Sequence, residues 1–361
     1  MNILENKAAY RLSERTTWQD GALYLGYSAS FLEFAFKGTK AEAELITDRL
    51  DWEENTRAWV AVFVNGAEIP ALRVPLTKEK ERFVLYESAE AKEVTLRIMK
   101  YSEAAFGAVG ISCLDVEGEL LPPPAAKDKK IEVIGDSITC GYGIEGVVDV
   151  DTFTTAQENP WNAYGCRVAR ALDADFSLIS WSGNGIISHY VEESVNEPRN
   201  DEALMPELYY YEDYSADFRR GKARADYIKR DFTTYQPQLI IINLGTNDGS
   251  YTRNIPARDR AFVNGYVKFL RQVREVNPDA NILCTVGVMA TAAKDLVGEA
   301  VARVNDFGDS KVFFKEAFLQ NGEVDGIGAD WHPTESTQKK LAEYLVEFIK
   351  EKNLIYSDLL L

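Results

Sequence analysis

Histidine is scarce: among 361 residues there are two, His189 and His332. Any chemistry that runs through an imidazole therefore has two candidates. The four cysteines, Cys113, Cys140, Cys166 and Cys284, form no Cys-x-x-Cys pair and have no histidine beside them. That spacing excludes the common zinc folds and leaves four reduced thiols as the expectation. Asp213, Asp217, Asp226 and Asp231 show no ligand spacing, so no metal and no cofactor are expected. No stretch approaches the roughly 20 apolar residues that cross a bilayer. The opening residues, Met1-Asn2-Ile3-Leu4-Glu5-Asn6-Lys7, hold no basic region followed by an apolar run. No signal peptide is expected there, and the cytoplasm is the expected location unless a leader precedes this sequence. Positive charge is also in deficit: 40 Lys and Arg stand against 57 Asp and Glu, a net charge of −17. Nucleic acids and anionic membranes reward clustered Lys and Arg, so neither is an expected partner. A neutral substrate fits better than an acidic polymer.

The rest of the composition, 46% hydrophobic and 27% charged, is that of a soluble globular protein. Its length favours two domains. Up to about residue 120 the patterns are those of short strands. Leu32, Phe34 and Phe36 alternate with other residues, Trp59 to Val64 runs into the turn signal Asn65-Gly66, and Phe83 to Tyr86, Val94 to Ile98 and Ile111 to Val116 follow. This predicts an all-β sandwich over residues 1–121. Pro122-Pro123-Pro124 opens a stiff linker over 122–130. From residue 131 to 361 strand-like and helix-like runs alternate, which predicts a parallel α/β sheet. Its strands are expected at Ile131–Ile134, Phe176–Ser180, Leu239–Leu244, Ile282–Val288 and Lys311–Phe314. Helices are expected at Asn162–Leu172, Arg220–Phe232, Arg260–Val276 and Glu335–Lys350, the last capped by Thr334. The acidic, tyrosine-rich segment from Tyr190 to Arg220 reads as a surface excursion, with a lid or subunit contact as the sharper alternative.

Four short blocks carry the chemistry. Gly135-Asp136-Ser137-Ile138-Thr139 follows the first strand of the α/β half and puts a serine at a strand's carboxyl end. Ser182-Gly183-Asn184-Gly185 follows the second strand and Gly245-Thr246-Asn247-Asp248 the third. Asp330-Trp331-His332 precedes the last helix. All four then lie on one edge of the sheet. Ser137 is the candidate nucleophile, weak until a base takes its proton. His332 is the candidate base and later acid. The Ser137 and Gly183 amides and the Asn247 side chain are three donors suited to an oxyanion.

In this order, the blocks resemble the SGNH hydrolase superfamily, the GDSL-type esterases. The resemblance implies a flavodoxin-like α/β/α fold, Ser137 as nucleophile, Gly183 and Asn247 in the oxyanion hole, and His332 as base. One position departs from the family pattern. Many members place an acid three residues before the histidine, where this chain has Ala329. Asp330 stands two before it instead. The expectation is that Asp330 holds the imidazole, with a backbone carbonyl as the alternative.

A small β-sandwich ahead of such a hydrolase resembles the second family of carbohydrate esterases. Phe36-Lys37-Gly38-Thr39, Val64-Asn65-Gly66 and Ser180-Trp181-Ser182-Gly183 support that match. The resemblance implies a jelly-roll accessory domain and removal of O-acetyl groups from xylan, mannan and related plant glycans. Acetylated oligosaccharides or polysaccharides are thus the expected partners. Tyr190 and Trp331 are candidate sugar-binding faces, with Trp161 and Tyr142 behind them. The alternatives are a lipase or thioesterase on the same scaffold and a non-catalytic glycan-binding protein.

Overall fold

The computed structural model describes residues 2–48, 54–192 and 198–356, and the chain divides into two compact units. The first comprises Met1–Ala126, Thr154–Glu158 and Glu212–Ile228. Its strands are β1 (Tyr10–Leu12), β2 (Thr16–Gln19), β3 (Ala22–Leu25), β4 (Phe31–Thr47), β5 (Trp59–Val64), β6 (Leu72–Pro75), β7 (Lys80–Lys100) and β8 (Val109–Leu121). They form one antiparallel sheet in the order β2-β3-β8-β4-β7-β5-β6, with β1 also on β4. Bulges interrupt β4 between Gly38 and Lys40, Ala41 and Glu42, and Glu44 and Leu45. Each adds local twist, so the sheet curls around a core of Phe34, Phe36, Leu45, Val60, Leu96, Ile98 and Leu114.

The expectation of uniformly short strands fails here. Phe83–Tyr86 and Val94–Ile98 are two ends of the single 21-residue strand β7. Its middle, Ala89–Glu93, is exposed and polar, and the apolar alternation that betrays a strand disappears there.

Two later segments belong to this first unit because they bury charge in it. Glu158 is fully buried, and its carboxylate accepts the Glu103 amide at 2.8 Å. Burial and the Glu103 carboxyl push its pKa up. Arg219 pairs with Asp48 at 2.8 Å and donates to the Ala104 carbonyl. Lys100, also fully buried, donates to the Ser102 and Glu103 carbonyls at 2.7 Å. Its pKa is pulled down to about 8 by burial. Groups this deep persist only with partners, and for Glu158 and Arg219 those partners, Glu103, Asp48 and Ala104, come from distant stretches of chain. The first unit thus takes two short stretches of chain from beyond residues 122–130.

The second unit holds five parallel strands: β9 (Lys129–Gly135), β10 (Ala174–Ser180), β11 (Leu239–Asn243), β12 (Asn281–Thr285) and β13 (Val312–Phe314). Their order is β10-β9-β11-β12-β13, the 2-1-3-4-5 order of flavodoxin-like sheets. In such sheets the ligand crevice opens beyond the strand ends where the order reverses, here between β9 and β11. The helices in chain order are α1 (Ser137–Cys140), α2 (Tyr164–Ala171), α3 (Met205–Leu208), α4 (Tyr214–Arg219), α5 (Thr246–Thr252), α6 (Pro256–Val276), α7 (Lys294–Asp306), α8 (Gly322–Asp325) and α9 (Glu335–Glu351). Of these, α4 lies in the first unit. On α6 Phe262, Val263, Tyr266, Phe269, Leu270 and Val273 are buried, the face its 3.6-residue period predicts. Thr334 caps α9 through the Thr337 amide. The helix expected over Arg220–Phe232 is absent; only a single 3-10 turn forms there, Arg224–Asp226. Residues 193–197 of the tyrosine-rich segment lie outside the described residues. Tyr209 from that segment is a core residue. Its hydroxyl donates to Glu132 at 2.9 Å and accepts from Asn277 at 2.8 Å. Among the described residues no helix is long and apolar enough to cross a membrane.

Candidate active site

Strand β9 ends at Gly135, which sits opposite Ser180 of β10 and Asn243 of β11. A Cβ on Gly135 would lie 2.0 Å from the Thr139 hydroxyl oxygen, so only glycine lets the chain turn this tightly off the strand. Asp136 caps α1 by accepting the Ile138 amide at 3.1 Å. Ser137 follows as the first helical residue, 7% exposed.

The loop after β10 carries Gly183 with φ of +74°, which L side chains rarely adopt. Its carbonyl accepts the Tyr190 amide at 2.9 Å. Asn247, in the first turn of α5, donates through Nδ2 to the Asn184 carbonyl at 2.8 Å and to Asp136 Oδ2 at 3.2 Å. Those two bonds draw the Gly183 loop and the Ser137 turn to the same side chain. Asp248 fastens the loop further. It is fully buried, and its carboxylate accepts the amides of Ile186, Ile187 and Ser188 at 2.9, 2.7 and 3.1 Å. Burial pushes its pKa up to about 6 against those amides. Nothing in the sequence marks Asp248 for this role beyond its place beside Asn247.

His332 approaches from the turn before α9. Its Nε2 lies 2.8 Å from Ser137 Oγ, and its Nδ1 lies 2.9 Å from the main-chain carbonyl oxygen of Asp330. A carbonyl can only accept, so Nδ1 carries the proton and Nε2 presents its lone pair to the serine hydroxyl. Burial pushes the His332 pKa down to about 4, against the raising effect of that carbonyl. The ring is therefore neutral at pH 7 and fit to take a proton.

The expectation for the Asp330 side chain is corrected by this geometry. The carboxylate turns away and accepts the Tyr142 hydroxyl at 2.9 Å; it is the Asp330 carbonyl that meets the imidazole. The reason is conformational. Asp330 has φ 48° and ψ 41°, a left-handed geometry that aims the carbonyl at the ring. Trp331 also has positive φ, 64°.

The other named residues separate clearly. Tyr190 and Trp331 are 53% and 61% exposed, one tied to the Gly183 carbonyl and the other next to His332. Trp161 is buried beneath the Arg170 guanidinium and against Phe176. His189 lies elsewhere, its Nε2 2.6 Å from the Glu202 carbonyl oxygen. Among the described residues no three His, Cys, Asp or Glu side chains are grouped to hold a metal ion.

Comparison with known proteins places the chain in a family. Residues 133–359 match the model of the GDSL-like Lipase/Acylhydrolase family, and residues 14–124 match that of the Carbohydrate esterase 2 N-terminal domain. The chain is 33% identical over 332 residues to the cellulase/esterase CelE of Acetivibrio thermocellus, covering 90% of this chain and 37% of that protein. It thus spans little more than a third of that relative's length. To an acetylxylan esterase / glucomannan deacetylase of Cellvibrio japonicus it is 28% identical, covering 92% of this chain and 85% of the relative. A solved structure of a family two carbohydrate esterase from Clostridium thermocellum in complex with cellohexaose superposes with a TM-score of 0.82. That match is 31% identical and covers 95% of this chain and 99% of the other. The chain therefore belongs to the GDSL-like lipase/acylhydrolase family and, through both of its domains, to the family 2 carbohydrate esterases.

Proposed function

We propose that this protein hydrolyses O-acetyl esters on neutral plant oligosaccharides or polysaccharides of the xylan and mannan type, through an acetyl-enzyme on Ser137. The observation that carries this reading is the 2.8 Å approach of His332 Nε2 to Ser137 Oγ, with the ring's other nitrogen occupied by a carbonyl. His332 Nε2 takes the hydroxyl proton as Oγ bonds to the acetyl carbonyl carbon. The carbonyl oxygen becomes an oxyanion, and the amides of Ser137 and Gly183 and the Asn247 Nδ2 donate to it. One Nδ2 hydrogen stays on the Asn184 carbonyl; the other leaves the long contact with Asp136. The tetrahedral species collapses, the bond to the sugar oxygen breaks, and His332 returns the proton to that oxygen. Water, deprotonated by His332, then attacks the acetyl carbon and releases acetate and free Ser137. The exposed faces of Tyr190 and Trp331 are the groups that would receive the sugar ring.

Support for the substrate class comes from the relatives' names and from the low positive charge of the chain, which disfavours acidic polymers. The test is mass spectrometry of acetylated manno- and xylo-oligosaccharides incubated with wild type and with Ser137→Ala. Losses of one acetyl mass seen only with wild type are expected. No loss from either series, with octanoyl esters cleaved instead, would move the assignment to lipid hydrolysis.

A further inference from the structure

The imidazole of His332 is aimed by a main-chain carbonyl, and a carbonyl is only as well placed as the backbone that carries it. Asp330 and Trp331 both occupy the left-handed region without being glycine. Such a turn relaxes unless its surroundings hold it. Gln320 holds one side by donating to the Trp331 carbonyl at 2.8 Å. The Ala329 amide is held by the Gly143 carbonyl at 3.0 Å. The residue between them, Asp330, is exposed, and its carboxylate accepts the Tyr142 hydroxyl.

Tyr142 is itself well fixed. Its ring stacks on Phe153 with centroids 3.5 Å apart and planes 9° from parallel. Its amide donates to the Ser137 carbonyl at 3.1 Å, so it belongs to the nucleophile's own turn. Its ring centroid lies 4.3 Å from that of His332, with the planes 40° apart. One side chain thus touches the imidazole with its face and the residue that orients the imidazole with its hydroxyl. Its backbone is bonded to the serine that the imidazole serves.

We propose that Tyr142 is a positioning residue: its hydroxyl, through the Asp330 carboxylate, holds the left-handed turn that keeps the Asp330 carbonyl on His332 Nδ1, while its ring backs the imidazole. Asp330 then contributes through two different atoms. Its carbonyl orients the ring, and its carboxylate anchors the carbonyl. The proposal rests on the reading of Ser137 and His332 given above, but its first readout does not need activity.

The chain has two histidines, so ¹⁵N-histidine labelling gives two imidazole signals, and His189→Gln assigns them. In wild type His332 is expected as the single Nδ1–H tautomer. Tyr142→Phe keeps the stacked ring and removes only the hydroxyl. It should give mixed tautomers at His332, with kcat on an acetylated oligosaccharide lowered about tenfold and KM within about twofold, the pattern of misplaced catalytic geometry. Asp330→Ala should do the same, and the double variant should be no worse than either alone. Asp330→Asn, whose amide oxygen can still accept from the hydroxyl, should recover most of what alanine loses. A single Nδ1–H tautomer and unchanged kcat in Tyr142→Phe would overturn the proposal, as would full additivity in the double variant. Should Tyr142→Phe fail to fold, Asp330→Gly, which accepts the left-handed backbone and removes only the carboxylate, decides by the same signals. Wild type inactive on every acetylated sugar would sink the esterase reading alone; the tautomer signals would still decide the role of Tyr142.

Discussion

Ser137 stands at the end of a sheet strand and His332 on a turn before the last helix, and the two supports are built differently. On the serine side the framework is buried and redundant. Gly135 is pinned between two parallel neighbours, Asp136 caps its helix, and Asp248 gathers three successive amides of the loop after Gly183. On the histidine side the framework is shallow. Asp330 and Trp331 are exposed and their backbone is left-handed; main-chain bonds tie Ala329 to Gly143 and His332 to Gly328 and Ala329, and side chains of Tyr142 and Gln320 bond to Asp330 and Trp331 themselves. The proposed oxyanion donors sit on strand ends and on a loop that buried side chains hold. The proposed base rests in part on side-chain contacts, from Tyr142 and Gln320, that one substitution can remove.

Substitutions on the serine side should therefore give the largest losses. Ser137→Ala removes the bond-forming atom, and turnover should fall by roughly 10⁴-fold or more while the fold persists. Asn247→Ala removes one proposed oxyanion donor and should lower kcat by about 100-fold or more with little change in KM. Steady-state kinetics on acetylated xylo-oligosaccharides check both. Wild-type turnover in Asn247→Ala would take that residue out of the oxyanion hole.

The same division explains what was legible in the sequence. Ser137, Gly183 and Asn247 follow apolar runs that end in a glycine or a small polar residue, and their positions depend only on strand ends lining up. Parallel register then does the rest, setting Ser180, Gly135 and Asn243 side by side. The Asp330 role was not legible, because acid-before-histidine spacing says nothing about which atom of the acid faces the ring. Left-handed φ at a non-glycine residue leaves no trace in composition. The ownership of Glu212–Ile228 was hidden for a related reason. It depends on where Asp48 and Ala104 meet Arg219, contacts far apart in sequence. Strand β7 looks like two pieces in sequence because its exposed middle, Ala89–Glu93, buries no large apolar side chain.

On the histidine side the losses should be smaller. If Asp330 acted as a triad carboxylate, its removal would lower kcat by about 10⁴-fold. With a carbonyl as the orienting atom, Asp330→Ala should cost only about tenfold, since every residue supplies a carbonyl. The pH profile gives a second test. Burial holds His332 near a pKa of about 4, so its base form persists through the mildly acidic range. The acid limb of kcat/KM, which reports the free enzyme, should fall near pH 4 and not near 6.5. Asp330→Ala removes a negative charge and should move the limb lower still. In stability terms a depressed histidine contributes fully above its unfolded pKa of ~6.5, and that contribution is lost as pH falls from there through about 4. A limb at pH 6 to 7 would show that the imidazole is more open to water than its surroundings imply.

The smallest effect should come from Trp331. The residue is 61% exposed and its carbonyl, not its indole, is what Gln320 holds. The left-handed backbone at this position does not depend on the indole, so Trp331→Ala should leave the Ser137–His332 pair in place. If the indole face receives the sugar, its loss removes binding that is equal in ground and transition states. KM should then rise by several-fold to about 10-fold while kcat holds, the scale of one aromatic contact. A fall in kcat with KM unchanged would reverse the assignment. Trp331 would then belong with Tyr142 among the groups that hold the turn, and the sugar would have to be sought on the Tyr190 side.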